Sequence, residues 1–317
     1  MAPAIEPAGD SNRGYLERLF EVGVNHCLPC MVLPPLLPKD PPAGRNIVLG
    51  AGKAAAEMAA VANECLAGQT VGLVVTRYGH GSDASAGSIE VMEAAHPVPD
   101  DRSEEAAERM LKLAASATAD DRVIFMISGG GSALLSAPIA GVSPETKRDI
   151  TRFLLHSGAR INEINCVRKH LSRIKGGGLA HAAAKAELLT FAISDVVGDS
   201  LSDIASGPSV PYERDVDQAT RILEKYGYSR AAEIATLMRK AGQIRAPDHP
   251  AIVAATGGTA VKAITRVVEA DGWTPVVLGD DIEGKTTDVG QANADLALQY
   301  RDQGGRFSHV SGGELTV

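Results

Sequence analysis

Cysteine is scarce in this chain, with four among 317 residues. That is too few, too scattered, for a disulfide framework, and it points to a reducing, cytoplasmic setting. No apolar run approaches the length of a membrane span. The opening residues, M-A-P-A-I-E-P-A-G-D, offer neither the basic nor the apolar region of a secretory signal. An excess of basic charge is also missing. The net charge is −8, which argues against nonspecific nucleic-acid binding and requires that any anionic ligand meet a local basic patch. Cys27 and Cys30 form a C-x-x-C behind His26, but Cys65 and Cys166 stand alone, so no second pair completes a zinc site. A proline-rich loop follows the motif, where a thioredoxin-like site would follow a strand. These cysteines read as ordinary, partly buried side chains.

What the chain does have is 44% hydrophobic and 22% charged residues, the composition of a folded protein long enough for two domains. A helix is expected over 13–24, a proline-rich loop over 29–42, and short apolar strands over 46–49, 71–76 and 89–94, alternating with helices over 54–66 and 103–117. A capping box near Ser103 opens the last of these. Strands that alternate with helices predict an α/β fold, a parallel Rossmann-like sheet with helices on both faces. Ligands of such sheets sit beyond the carboxyl ends of the strands.

The central stretch is 123–135, V-I-F-M-I-S-G-G-G-S-A-L-L. Five apolar residues suit a buried strand, and Gly129, Gly130 and Gly131 between Ser128 and Ser132 lead into helix-compatible residues. Strand, glycine turn and helix present free backbone N–H groups to an anion, although a tight turn between two core elements has the same signature. Further on, Arg168, Lys169, Arg173 and Lys175 gather four cations in an acidic chain, just before a second triple glycine, 176–178. A buried strand over 188–193 ends at Ser194-Asp195, and a carboxylate in that place suits Mg²⁺, which takes one or two carboxylates plus substrate phosphates. Two surface helices over 215–242 lead to a second strand–glycine–helix unit at 252–260. The final stretch, from His309, reads as a strand, a glycine turn and the start of another strand, as if the chain were a fragment of a longer one.

In order, the blocks G-A-G-K-A-A (50–55), R-Y-G-H (77–80), A-H-P-V-P-D (95–100), S-G-G-G-S-A-L-L (128–135), V-R-K-H-L-S-R-I-K-G-G (167–177), S-D-V-V-G-D (194–199) and S-G-P (206–208) resemble the glycerate 2-kinase family. Its members are also filed as hydroxypyruvate-reductase-like proteins and carry a C-terminal domain called MOFRL. The resemblance implies a Rossmann-like first domain over 1–235, with 1–45 packing on the second, and a smaller, incomplete MOFRL-type α/β domain over 236–317. It implies ATP- and Mg²⁺-dependent phosphorylation of the 2-hydroxyl of D-glycerate, no nucleic-acid or membrane partner, and is compatible with a homodimer. Two departures stand out: Ala255-Thr256-Gly257-Gly258 replaces a serine–asparagine pair, and Lys285 replaces an acidic residue.

Phosphoryl transfer needs positioning and charge neutralisation more than covalent chemistry. Lys53, at a helix start after a glycine turn, is the expected contact to the transferred phosphoryl, with Arg168 and Lys175 holding the substrate carboxylate or the phosphates. Asp195 and Glu314 are the expected metal ligands. Gly50, Gly52, Ser128, Gly129, Gly130, Gly131, Ser132, Gly176 and Gly177 are the expected cradles for ATP, without a decision as to which loop takes nucleotide and which takes substrate. No general base is evident. The rival readings are an NAD(P)H-dependent reductase, for which Gly50-x-Gly52-x-x-Ala55 matches a dinucleotide fingerprint, and an inactive nucleotide-binding protein.

Overall fold

The computed structural model describes residues 12–81, 86–301 and 305–316. Helix α1 (Asn12–Asn25) and the one-turn α2 (Pro29–Val32), which interrupts the expected proline-rich loop, precede the first strand. Then come β1 (Asn46–Ala51), α3 (Ala55–Cys65), β2 (Thr70–Arg77), β3 (Ile89–Ala94), α4 (Asp101–Ala115) and β4 (Arg122–Ser128). Four helices follow: α5 (Gly131–Leu134), α6 (Pro144–His156), α7 (Ile161–His170) and α8 (Gly178–Ala182). After them run β5 (Glu187–Ile193), α9 (Val216–Lys225), α10 (Ala231–Lys240) and β6 (Ala251–Ala255). The chain continues through α11 (Gly257–Ala270), β7 (Thr274–Lys285), α12 (Thr286–Arg301) and β8 (Phe307–Thr316).

Six strands form one parallel sheet in the order β3-β2-β1-β4-β5-β6. The chain leaves β1 in one direction, through β2 and β3, and returns on its other side as β4. The carboxyl ends of β1 and β4 therefore flank the point where strand order reverses, the natural crevice of an open α/β sheet. Both strands are buried on both faces, which is why each reads as an unbroken apolar run. Met110 and Ala106 of α4 pack over one face, and Met58, Ala59 and Ala62 of α3 over the other.

Helices α9 and α10, expected to run along the surface between domains, pack with α6 and α7 around Leu154, Val167, Leu223 and Ile234 in a core of their own. Strand β6 lies beyond the expected boundary at 235 and is hydrogen-bonded to β5 as the edge of the first sheet. The remaining strands, β7 and β8, form a parallel pair of their own whose register slips at Gly279 and Ile282. The expected glycine turn near 312 is not a turn: β8 runs straight through it, and Gly313 (φ +139°) opposes the backbone of Ile282 in the slipped register. Helix α1 lies on α11, with Tyr15 stacked on Trp273 at 5.0 Å between ring centres. No described helix is long and apolar enough to cross a membrane.

The capping box of α4 starts three residues earlier than expected. Asp100 Oδ1 accepts the Ser103 N–H at 3.0 Å, and Ser103 Oγ accepts the Asp100 N–H at 3.2 Å. Asp100 also accepts the Tyr78 hydroxyl at 2.8 Å, tying the loop after β2 to the helix start. Asp100→Ala is expected to cost about 1 kcal/mol, the usual loss for an N-cap, read as a lowered denaturation midpoint with an unchanged slope.

Candidate functional site

At the end of β1 the chain turns at Gly52, whose φ of +138° few other residues adopt. Its N–H donates to the Val75 carbonyl at 3.1 Å. The Lys53 N–H then donates to the Gly129 carbonyl at 2.8 Å, and Ser128 Oγ accepts the Ala54 N–H at 3.1 Å. The two strand ends are thus laced together, and the triple glycine is fixed against the start of α3. Gly130 (φ +79°) caps the short α5, and its N–H, with those of Gly131 and Ser132, has no protein acceptor among the described residues. Space is tight around them. A Cβ on Gly131 would stand 2.7 Å from Ala205 Cβ and 2.8 Å from the Ala51 carbonyl oxygen, and one on Gly129 would run into the Asp195 carboxylate.

On one side of this loop, Lys53 Nζ lies 3.5 Å from Asp195 Oδ2, both side chains about half exposed. His96 completes this side: a Cβ on Gly130 would sit 3.2 Å from its Nε2 and 3.4 Å from Lys53 Cε. Burial, then the positive charges of Lys53 and Arg77, hold the His96 imidazole below its usual value, with Asp195 opposing them. This favours the neutral form of the imidazole. His96 was legible in the sequence only as part of a rigid His-Pro turn; its position two residues past the end of β3 is the signal that marks it as facing the crevice.

On the other side, Ser132 is the hub. Arg168 donates to Ser132 Oγ at 2.6 Å, and Lys175 Nζ donates to the Ser132 carbonyl at 2.6 Å and to its Oγ at 3.1 Å. Ser132 Oγ also meets Ser206 Oγ at 2.8 Å. Ala205 and Ser206, both non-glycine residues at positive φ (+52° and +63°), hold that hydroxyl in place. Such backbone is costly and survives only where the surroundings enforce it.

The expected residues do not all reach the crevice. Gly176 and Gly177 spend their N–H groups on the Ser206 and Gly207 carbonyls at 3.0 and 2.7 Å, so the second triple glycine is a splice between loops and not an anion cradle. Gly50 lies inside β1, where a Cβ would come within 2.5 Å of the Met126 carbonyl oxygen; it lets β1 and β4 pack closely. Gly52 likewise keeps its N–H in the sheet.

Beyond Lys53 and Asp195 opens a cleft of about 750 Å³, walled on its far side by Thr256, Asp280 and Glu314. Its size suits a nucleotide-sized ligand. Asp195 and Glu314 both line it, yet no three His, Cys, Asp or Glu side chains gather on a common metal position among the described residues. The carboxylate ligands expected from the sequence do not make a cage by themselves.

The family model described as "Domain of unknown function (DUF4147)" matches residues 15–239, which hold the sheet up to β5 and both sides of the glycine loop. A protein of Agrobacterium vitis that bears a hydroxypyruvate reductase name is 40% identical over 322 residues, covering 97% of this chain and 71% of that protein. The D-glycerate 2-kinase of Thermotoga maritima is 44% identical over 192 residues, 60% of this chain and 46% of the relative. The crystal structure of a glycerate kinase from Thermotoga maritima superposes with a TM-score of 0.82 at 30% identity, over 96% of this chain and 75% of that one. The family model over 15–239, the 40% identical relative and the superposed glycerate kinase structure, the last two spanning nearly all of this chain, together show that the chain belongs to the glycerate 2-kinase family of enzymes, whose shared region carries the DUF4147 description.

Proposed function

We propose that this chain is an ATP- and Mg²⁺-dependent glycerate 2-kinase, moving the γ-phosphoryl of ATP to the 2-hydroxyl of D-glycerate. One observation carries the reading: a single glycine loop at the switch point has an ammonium and a carboxylate on one side and two cations on the other. Phosphoryl transfer asks for that division, with charge neutralisation at the transferred group and a separate hold on an acidic acceptor. In this reading the N–H groups of Gly130, Gly131 and Ser132 take phosphate oxygens, and Lys53 leaves Asp195 to neutralise the phosphoryl. Arg168 and Lys175 orient the acid. Mg²⁺ keeps most of its ligands from water and phosphate, so Asp195, with Glu314 across the cleft, fits it without a protein cage; when bound it supplies charge neutralisation between the phosphates.

Neutral His96 is the group placed to receive the hydroxyl proton. Its lowered value sets the sign of the pH dependence, because the acceptor form is lost on acidification. Activity should hold above pH 6.5 and fall only as pH drops below the ordinary histidine value. His96→Gln should slow turnover by about a hundredfold and flatten that acid limb. An unchanged limb would remove His96 from proton transfer.

The reductase reading has the Agrobacterium vitis relative's name in its favour. Against it, Gly50 is buried against Met126 and the Gly52 N–H is taken by Val75, so neither glycine of the fingerprint is free to meet a pyrophosphate. One assay with two arms decides: ADP release with D-glycerate and Mg-ATP, against NAD(P)H oxidation with hydroxypyruvate. Signal in the second arm alone overturns the kinase.

A further inference from the structure

Helix α1 is fixed on α11 by its inner face. Leu19 packs with Val261 and Val268, and at Gly23 the two helices come so close that a Cβ would stand 2.8 Å from Ile264 Cδ1. The neighbouring face of α1 is left uncovered: Phe20 is 70% exposed and Val24 43%. Four residues apart on one helix, they form one surface. A single exposed apolar side chain is common and needs no account. These two, however, line the cleft of about 750 Å³ that also holds Lys53 and Asp195.

The cleft can be followed from its ionic end to this apolar one through a series of contacts. Lys53 Nζ stands 3.5 Å from Asp195 Oδ2. Beside Asp195, the Ser194 N–H donates to the Ala255 carbonyl at 2.9 Å and joins the ends of β5 and β6. One residue on, the Thr256 carbonyl accepts the Cys27 thiol at 3.7 Å, and the Cys27 N–H donates to the Val24 carbonyl at 2.9 Å. Phe20 lies about 6 Å further along α1. Charge is divided along the same path. Among the described residues that line the cleft, Lys53 is the one lysine or arginine, whereas Asp280, Asp281 and Glu314 are acidic. A polyanion is drawn to the Lys53 end and repelled elsewhere, so the uncharged part of a ligand is left for α1.

We propose that Phe20 and Val24 form the base subsite of this cleft, with the adenine of the nucleotide stacked on Phe20 and its phosphates running past Thr256 to Lys53 and the glycine loop. A flat, uncharged ring at one end and a polyanion at the other match the two ends of the cavity. The inference rests on the reading of this cleft as the nucleotide's, and it sets the direction in which the nucleotide lies.

Phe20→Trp supplies the probe. The chain's one tryptophan, Trp273, lines a different cavity, so Mg-ADP should quench the fluorescence of Phe20→Trp saturably and leave that of the parent unchanged. Adenosine should quench it too, at higher concentration, and Mg-tripolyphosphate should not. In calorimetric titrations Phe20→Ser should lose about tenfold in affinity for Mg-ADP, the usual loss when a base is deprived of an aromatic platform. It should keep the parent's affinity for Mg-tripolyphosphate and melt close to the parent, because the side chain is exposed. No quenching of Phe20→Trp by Mg-ADP, or unchanged Mg-ADP affinity in Phe20→Ser, would overturn the subsite and leave this face of α1 to a protein partner. An equal loss for Mg-tripolyphosphate would overturn it as well, since the effect would then not belong to the base. Quenching and a selective loss of Mg-ADP, with silent ADP release in the parent, would leave the subsite standing and sink the kinase. ADP release by the parent without either effect would do the reverse.

Discussion

Replacing Lys53 with methionine is expected to slow ADP release with D-glycerate and Mg-ATP by about a thousandfold or more, while the melting temperature stays close to that of the parent. The two halves of this expectation have separate causes. The Lys53–Asp195 contact is about half exposed on both partners at 3.5 Å, and exposed ion pairs contribute little to stability. The backbone bond that anchors the residue, from its N–H to the Gly129 carbonyl, survives any change of side chain. Catalysis is another matter. A positioned cation at a transferring phosphoryl group meets charge that develops in the transition state, and removing such groups costs two to five orders of magnitude in related chemistry, roughly. Steady-state assays with a thermal melt in parallel separate the two. Turnover within about tenfold of the parent would show that Lys53 is only a partner for Asp195.

Much of the fold was open to reading because its signals are local. Strands β1, β4 and β5 announce themselves as apolar runs bounded by glycine or serine, and the alternation with helices fixes a parallel sheet. The glycine loop 128–132 was legible for the same reason, since the strand, the turn and the helix that make it are contiguous. What the sequence hid was every arrangement made by distant segments. His96 meets Gly130 because β3 and β4 end at the same edge of the sheet, although β2 and β1 lie between them. Lys147 reads as a solvated lysine among the charges of P-E-T-K-R-D, yet in the fold it is 7% exposed. Gly176 and Gly177 have the composition of a phosphate cradle, but their N–H groups were claimed by residues 206 and 207, about thirty positions on. A glycine run states what the backbone is able to do, and the partner that takes its N–H groups decides what it does.

That distinction is measurable at Gly52 and Gly129, whose alanine variants should fail in opposite ways. In Gly52→Ala the new methyl meets Ser128: its carbonyl oxygen would be 2.5 Å away and its carbonyl carbon 2.6 Å. Neither atom can retreat, because Lys53 N–H to Gly129 O and Ala54 N–H to Ser128 Oγ bind the same two segments together. The φ of +138° adds strain of its own. The two effects should together cost about 3 kcal/mol or more, seen as a large drop in the urea midpoint. In Gly129→Ala the atoms nearest the new methyl all belong to the carboxylate of Asp195, the half-exposed end of a side chain that can rotate away. That variant should fold with a loss of about 1 kcal/mol or less. Its carboxylate, however, would be pushed from the side of Lys53, and a displacement of that size at a phosphoryl-transfer site costs about a hundredfold in rate. Large, equal losses of stability in both variants would show that Asp195 is locked in place as part of the fold. Full activity in Gly129→Ala would show that the position of Asp195 does not matter to the reaction, and the metal would then have to be held by the opposite wall of the cleft.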